Sequence, residues 1–273
     1  MRGRTLGALA VLAILAIGAS AAYAQRIFAG FYGTTPPRFP NAQSFQGSFT
    51  FCRAMFSSNR REKRGWDTDY PGADINFSIR LAELTRTRVA KQATGTDPEY
   101  VVVRLTDPGL FQCPFVLMED AGTIVLSDEE VATFREYLLK GGFVFVSDYW
   151  GPLAREQFDE EIDRVLPRAE YPIVDLPLNH PLWHSQFQMS RIPQMPSIQS
   201  WRRTGGQTDR GVTDPVDPYG IADQHGRLMM VMMHNSDIPD GWEREGEDPA
   251  YFYRFSPDAY SVGINVFLYA ATH

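Results

Sequence analysis

Acidic side chains that could bind a ligand stand in two parts of the sequence. Asp67 and Asp69 lie in the segment GWDTDYPGADINF, and Asp148 follows an apolar run at 143–146. Close carboxylates can hold a cation or act as an acid and base pair. The first segment lacks the central glycine and terminal glutamate of an EF-hand loop, so turn and cap chemistry is its alternative role. For Asp148, ligand or metal binding and a loop-stabilising role both remain open.

A pair of histidines forms the next group. His180 and His184 are four residues apart, a spacing that places two side chains on one helix face and can serve zinc. Pro181 lies between them and no glutamate follows His180, so the pattern is not the H-E-x-x-H of metalloproteases. Hydrogen bonding to the backbone or contact with a ligand is the favoured interpretation. The sequence assigns no metal ligand and identifies no cofactor.

The densest polar group follows a methionine-rich apolar run near the end of the chain. It begins with His234 and Asn235 and includes Asp237. His234 is a candidate acid or base, because imidazole titrates near neutral pH. We expect Asp148, His184, His234 and Asp237 to build one ligand site.

Strands and helices alternate among the elements that would position these groups. Apolar runs predict strands at 48–56, 99–105, 115–118, 143–146 and 228–233. The alternation with amphipathic helices predicts an α/β fold with three layers, a mostly parallel sheet and helices on both faces. Ligands bind such sheets at the carboxyl ends of the strands. The loops after Val146 and Met233 should therefore emerge side by side.

Local signals predict two helix boundaries. Asp74 is predicted to cap a helix that runs to about residue 85, with Ile75, Ile79 and Ala82 on its buried face. Ser256, followed by proline and aspartate, is predicted to begin the terminal helix. In both cases a side-chain oxygen would satisfy the free amides of the first turn.

The first 24 residues have the pattern of a signal peptide. Two arginines precede an apolar run, and Ala22-Tyr23-Ala24 is a small-x-small cleavage site. This predicts a periplasmic or secreted protein; an uncleaved anchor is the alternative and would supply the only membrane contact. Residues 25–46 are expected to be an irregular mature N-terminus. Residues 47–273 are expected to form a single α/β domain with a loop-rich insertion at about 167–224.

The net charge argues against one class of partner. The 273 residues include 26 lysines and arginines against 33 acids, which gives a net charge of −7. An acidic protein is a poor match for nucleic acid. The partners left open are therefore a small molecule or a component of the cell envelope.

The chain has two cysteines, Cys52 and Cys113. Both lie in apolar, strand-like surroundings. They can pair in an oxidising compartment or remain as two buried thiols. Neither follows the tight strand-to-helix turn that exposes a nucleophile.

Several motifs occur in an order that resembles the bacterial family called domain of unknown function 4159. They are GWDTDYPGADINFSIRLAELT, LLKGGFVFVSDYWG, NHPLWH, PQMPSIQSWRR, GRLMMVMMHNSDIPDGWERE and YSVGINVFLYAATH. The resemblance covers roughly residues 49–273. It implies a flavodoxin-like architecture similar to that of class I glutamine amidotransferases, and it implies no reaction. The turn after Val146 has no cysteine, so amidotransferase activity is not expected.

Three functions are compatible with these patterns. The favoured one is an exported ligand-binding or assembly protein of the cell envelope, because polar residues stand at strand ends without a complete catalytic set. A metal-assisted or acid/base hydrolase of an envelope substrate, such as a glycan, would use the same residues. The third is a structural partner of a membrane complex that keeps its N-terminal segment as an anchor.

Overall fold

A seven-stranded sheet organises the computed structural model, and a two-stranded sheet accompanies it. In chain order the strands are β1 (Phe51–Met55), β2 (Ser57–Ser58), β3 (Tyr100–Arg104), β4 (Val116–Glu119), β5 (Ile124–Val125), β6 (Val144–Tyr149), β7 (Ile173–Asp175), β8 (Asp217–Ala222) and β9 (Leu228–His234). The large sheet has the order β3-β1-β4-β6-β9-β8-β7, and β2 pairs with β5. Its first five strands are parallel, β8 is antiparallel to β9, and β7 is antiparallel to β8.

Helices pack on this sheet through aromatic side chains. The α-helices of the described residues are α1 (Gly72–Leu84), α2 (Asp128–Leu139), α3 (Pro152–Val165), α4 (Ile198–Thr204), α5 (Asp240–Glu243) and α6 (Pro249–Thr272). Phe77 of α1 and Phe267 of α6 contact Phe115, with ring centroids 6.3 and 5.6 Å apart. Phe158 of α3 contacts Tyr149 of β6 at 5.2 Å. The prediction of an α/β fold with a mostly parallel sheet is confirmed.

The structure describes residues 35–59, 65–93 and 95–273. The predicted signal peptide at 1–24 and residues 25–34 of the expected N-terminus lie outside these ranges. Residues Arg38–His273 form one compact unit. None of the helices in the described ranges has the length and apolarity needed to cross a membrane.

The start of α1 differs from its prediction. The helix begins at Gly72, and Asp74 lies in its first turn without capping it. The Asp74 carboxylate instead accepts hydrogen bonds from Nε of the buried Arg53 at 3.0 and 3.2 Å. A charge-assisted bond in a buried setting is stronger than a bond to a neutral amide, so Arg53 takes the carboxylate.

The buried face of α1 was also predicted wrongly. Phe77 and Leu81 are fully buried, whereas Ile79 and Ala82 are exposed and Ile75 is half-buried. The isoleucines and the phenylalanine belong to different stripes of the same helix. Burying the larger aromatic side chain against the sheet removes more apolar area from water, and this sets the rotation of the helix.

The terminal helix begins earlier than predicted. α6 starts at Pro249, and the Asp248 side chain accepts hydrogen bonds from two first-turn amides at 2.9 and 3.2 Å. Pro257 therefore lies inside the helix. The prediction of a start at Ser256 was wrong because an earlier aspartate and proline supply the cap. Burial of Tyr251 holds the additional turns against the domain.

The insertion at about 167–224 contains more regular structure than its composition suggests. It holds β7, a 3-10 helix at Pro181–His184, α4 and β8. β8 lies next to β9 in the sheet although it contains Pro218 and Gly220. These two residues make the strand difficult to predict from the sequence, because proline and glycine are depleted in strands.

Cys52 and Cys113 form a disulfide, with Cα atoms 6.0 Å apart. The bond joins β1 to the residues that precede β4. Of the two alternatives for the cysteines, the structure therefore selects the disulfide. Neither sulfur is a free thiol that could act as a nucleophile.

Candidate functional site

The loops that follow β6 and β9 meet at the carboxyl edge of the sheet. The Asp148 amide donates to the Ser236 carbonyl at 3.0 Å, and the Asn235 amide donates to the Tyr149 carbonyl at 3.0 Å. The expectation that the two loops emerge side by side is confirmed. We call this edge the carboxyl rim, and it comprises the residues at the ends of β4, β6 and β9 together with the turn at 66–71.

Unusual backbone conformations are concentrated at the carboxyl rim. Asp69, Asp120, Asp148 and Asn235 have φ values of 58°, 47°, 55° and 60°. Within the described part of the chain, Arg210 at 52° is the only other non-glycine residue with positive φ, and its guanidinium binds the rim. Left-handed backbone costs free energy at residues with a side chain, and such residues cluster at ligand sites. The backbone thus marks the rim as the candidate site.

One buried arginine anchors the turn at 66–71. Arg53 is fully buried in β1, and its guanidinium pairs with Asp74 and Glu119. The same guanidinium donates to the carbonyls of Trp66 and Thr68 at 3.1 and 2.8 Å. A planar guanidinium with five donors suits this convergence. Arg53 therefore links β1, α1 and β4 to the turn that carries Asp69.

Three carboxylates converge beside this arginine. One oxygen from each of Asp69, Glu119 and Asp237 lies within 4.8 Å of the other two. Glu119 is fully buried and Asp237 nearly so, whereas Asp69 is half-buried. Glu119 Oε1 and Asp69 Oδ2 are buried without a nitrogen or hydroxyl partner among the described residues. Oxygen-only groups of this kind match hard cations.

A second carboxylate group shares Asp69 and adds Asp240 and Glu243, again with oxygens within 4.8 Å. The protein already supplies donors to this group. Asp240 Oδ2 accepts hydrogen bonds from a backbone amide at 2.7 Å and a tyrosine hydroxyl at 2.8 Å. Nε of Arg244 lies 2.6 Å from Glu243 and 3.5 Å from Asp240. This group is therefore better neutralised than the first.

Arg210 closes the other side of the rim. Its two terminal nitrogens donate to Asp120 at 2.7 Å and to Asp148 at 2.8 Å. The Trp150 indole donates to the other Asp148 oxygen at 2.9 Å. Arg210 comes from the insertion, so its guanidinium fastens that segment across the ends of β4 and β6.

Burial and crowding of like charges raise the pKa values of the rim acids. Burial, together with the charge of Glu243, raises the pKa of Asp69 to about 7. Burial, together with the charge of Asp69, raises the pKa of Asp240 to about 7. Burial also holds the pKa values of three further acids well above their usual range, namely Glu119, Asp148 and Asp237. Each ionised acid therefore carries an electrostatic cost that a bound cation would reduce.

His234 and Asn235 lie at the rim, where structural hydrogen bonds engage them. His234 Nε2 contacts the Gly151 carbonyl at 3.0 Å, and its ring packs on Tyr149. Burial lowers the pKa of His234. Asn235 accepts from the Gly151 amide at 2.8 Å and donates to the Pro215 carbonyl at 3.0 Å. Both side chains tie neighbouring loops together.

His180 and His184 lie at a 3-10 helix that packs on the end of α6. The His180 ring contacts Tyr269 at 5.9 Å, and its Nδ1 accepts from a nearby amide at 3.2 Å. His184 Nε2 contacts a backbone carbonyl at 2.8 Å. Tyr269 is about 27 Å along α6 from Tyr251, the residue of this helix that binds a rim acid, at about 1.5 Å per residue. The structure does not bring these two histidines to the rim.

The structure brings together three of the acids predicted as site residues, Asp69, Asp148 and Asp237. Their mutual charges contribute to the raised pKa values of Asp148 and Asp237. Asp67 is half-buried in the same turn as Asp69, and its carbonyl accepts from the Tyr70 amide at 3.3 Å. The acidic part of the predicted site is thus a spatial cluster.

Several rim residues did not stand out in the sequence. Glu119 and Asp120 directly follow an apolar strand, which is the signal that identified Asp148, and the same criterion would have found them. Arg53 stands alone as a charge inside an apolar strand, a second usable signal. Arg210 lies in a polar loop, where nothing in the sequence distinguishes it.

The serine near the end of β6 is not available as a nucleophile. Ser147 is fully buried; its hydroxyl donates to the Ser236 carbonyl at 2.9 Å and accepts from the Ile238 amide at 3.1 Å.

A family model described as "Domain of unknown function (DUF4159)" matches residues 56–271, well over half of the chain. The chain belongs to the DUF4159 family. The DUF4159 match includes Asp69, Glu119 and Asp237. No curated protein matches the sequence.

Two surface cavities formed by described residues lie outside the rim of this DUF4159 protein. One of about 230 Å³ is lined by residues that include Arg191, Gln194 and Arg254. Another, of about 340 Å³, is largely apolar and includes Phe187 and Phe252. Neither contains a rim carboxylate, so we place the candidate site by the convergence of buried charges and not by cavity size.

Proposed function

We propose that this DUF4159 protein is an exported cell-envelope protein that binds a positively charged ligand at the carboxyl rim. One observation carries the proposal: the buried and half-buried acids at the rim and on the neighbouring starts of α1 and α5 outnumber the arginines that pair with them. The acids are Asp69, Asp74, Glu119, Asp120, Asp148, Asp237, Asp240 and Glu243, and the arginines are Arg53, Arg210 and Arg244. Buried charge is costly unless it is paired. A cationic ligand would supply the missing partner.

The order of the strands supports this location for the site. Numbered by position in the chain, the five parallel strands follow the order 2-1-3-4-5. We infer from this order a flavodoxin-like architecture of the class I glutamine amidotransferase type. In that arrangement the strand order reverses between β1 and β4, and ligands bind in the crevice outside that point. Arg53 and Glu119 meet between the same two strands.

Two features support export. Residues 1–24 have the pattern of a signal peptide. The disulfide between Cys52 and Cys113 is typical of proteins that fold in an oxidising compartment. Both features support the proposed periplasmic or secreted location.

The positions of these residues support ligand binding better than they support hydrolysis. The hydrolase hypothesis relied on His184 and His234 as partners of the acids. His184 follows Trp183, whose carbonyl accepts from Asn265 in the second half of α6, and the ring nitrogen Nε2 of His234 is engaged with the Gly151 carbonyl. Hydrolytic turnover of an envelope glycan that is lost in Asp237→Asn would favour the hydrolase instead.

Thermal unfolding of the full chain, isolated from the cell envelope, tests the proposal. The probes are Ca²⁺, Mg²⁺, spermidine and glucosamine. At least one should raise Tm, since a ligand at 100 times its Kd adds about 2.7 kcal/mol of stability. Asp148→Asn and Asp237→Asn should weaken the shift, and Glu136→Gln, a change at an exposed acid on α2, should not. Absence of a shift with all four probes would contradict the proposal.

A further inference from the structure

We propose that Asp69, Glu119 and Asp237 bind one hard divalent cation of the Ca²⁺ class. The inference rests on the proposed function, because it identifies the positively charged ligand of the rim. It also selects one of the two carboxylate groups that share Asp69. The sequence offered cation binding only as one alternative for the segment that contains Asp69, and it did not single out Glu119.

The spacing of the three oxygens fits the first coordination shell of such an ion. Ca²⁺ binds oxygens at about 2.3–2.6 Å, so two ligands on opposite sides are about 4.8 Å apart. The three carboxylate oxygens lie within 4.8 Å of one another. All donors are oxygens, which disfavours zinc and copper and favours calcium, magnesium or manganese.

An unpartnered oxygen points to a ligand between these acids. Glu119 is fully buried, and among the described residues its Oε1 has no hydrogen-bond partner. Oδ2 of Asp69 is also buried without a hydrogen-bond partner among the described residues. Two carboxylate oxygens that face each other in a buried place require either a shared proton or a cation. A cation satisfies all three acids together, whereas one proton satisfies two.

The neighbouring residues leave this group open and hold its members in position. Arg53 binds the other Glu119 oxygen, Oε2, and so leaves Oε1 turned away from the guanidinium. The Asp240 amide donates to Asp237 Oδ1 at 3.1 Å. Asp69 is the half-buried member of the group. The second group also has an oxygen without a hydrogen bond, Glu243 Oε2, but Nε of Arg244 lies 2.6 Å from it and balances its charge.

A second buried glutamate in the chain provides a matched control. Glu99 also has one carboxylate oxygen, Oε2, bound to an arginine, Arg38 at 2.9 Å, and its Oε1 has no hydrogen-bond partner in the described ranges. It stands at the start of β3, at the opposite end of the sheet from the rim. It belongs to neither of the two groups of acids that the described residues bring together. Glu99→Gln therefore removes the charge of a buried, arginine-bound glutamate outside the proposed site.

The experiment uses the full chain after treatment with EDTA. Ca²⁺, Mg²⁺ and Tb³⁺ are titrated separately, and binding is followed by Tm and by sensitised terbium emission, for which the Trp150 indole is bound to the rim acid Asp148. We expect Ca²⁺ to raise Tm and to displace Tb³⁺. Glu119→Gln and Asp69→Asn should each weaken Ca²⁺ binding by at least about tenfold, because each removes a charged ligand. Glu99→Gln should stay within about twofold of wild type.

The variants separate binding from folding. Without metal, Asp69→Asn should be at least as stable as wild type, since it removes one of three repelling charges and leaves the buried Arg53–Glu119 pair intact. Its Tm should then no longer respond to Ca²⁺. An equal response in wild type and Glu119→Gln would overturn the inference. A rise in Tm with spermidine or glucosamine but with none of the metal ions would also overturn the inference, and it would leave the proposed function intact. No rise in Tm with any of these cations would contradict both the inference and the proposed function.

Discussion

At the scale of single residues, Arg53 determines where the rim turn lies. It is fully buried in a parallel strand, and it binds two acids and two backbone carbonyls. The carbonyls belong to the turn that carries Asp69. Arg53, a charged side chain inside an apolar strand, thus fixes the position of Asp69, the half-buried acid that we propose as a cation ligand.

Arg53→Met tests this role. The substitution leaves Asp74 and Glu119 buried without their partner, and removal of one side of a buried ion pair costs about 3–5 kcal/mol. Urea unfolding measures the loss. Arg104→Met, at a half-exposed arginine of β3, is the matched control and should change stability by less than about 0.5 kcal/mol. A loss below about 1 kcal/mol for Arg53→Met would show that the network does not hold the domain together.

His234 provides a pH-dependent contribution to stability. Burial lowers its pKa in the folded protein and outweighs the hydrogen bond to the Gly151 carbonyl, which raises it; Arg155 lowers the pKa further, whereas Asp217 and Asp159 raise it. The unfolded chain then binds more protons below about pH 6.5, so stability falls as the pH decreases through that value. The contribution is fully present above the unfolded pKa.

His234→Gln should reduce this loss. The free energy of unfolding, measured at pH 7.5 and pH 5 in urea, should decrease less in the variant than in wild type. The rim acids with raised pKa values act in the opposite direction, so only the difference between variant and wild type is informative. His225→Gln, at an exposed turn residue, should leave the difference unchanged. Parallel pH profiles for His234→Gln and wild type would exclude a contribution from His234.

At the scale of elements, apolar runs were sufficient to predict the parallel strands. Such strands are covered by helices on the faces of the sheet, and their sequences are therefore continuously apolar. β6 and β9 could be located in this way, and their adjacency followed from the alternation of strands and helices. β8, which lies between β9 and β7, could not be located in this way, because its Pro218 and Gly220 are residues that strands seldom contain.

Helix boundaries and the complete rim depended on contacts that local patterns do not contain. Asp74 has the sequence position of a cap, yet a buried arginine on another element binds it. Asp69 and Asp237 could be proposed from their turns, but their convergence with Glu119 arises from three separate connections of the sheet. Sequence patterns identified polar strand ends, and only the fold could show which of them meet.

At the scale of the whole molecule, the disulfide links the fold to the compartment in which the chain is expected to fold. Cys52 and Cys113 are 61 residues apart in sequence, and the loop between them contains α1, β3 and the rim turn. Closing this loop restricts the unfolded chain more than the folded one. The oxidised protein should therefore be markedly more stable than the reduced protein.

A chain-entropy estimate for this 61-residue separation gives a stabilisation of about 4 kcal/mol. Urea unfolding with and without dithiothreitol should show that difference. The double variant Cys52→Ala/Cys113→Ala should lack any response to dithiothreitol and be destabilised to a similar extent. Equal midpoints for oxidised and reduced wild type would contradict the expected role of the bond.

Because Asp69 lies inside the closed loop, the reduced protein should also need more Ca²⁺ for the same rise in Tm, since part of the binding free energy must then restore the fold.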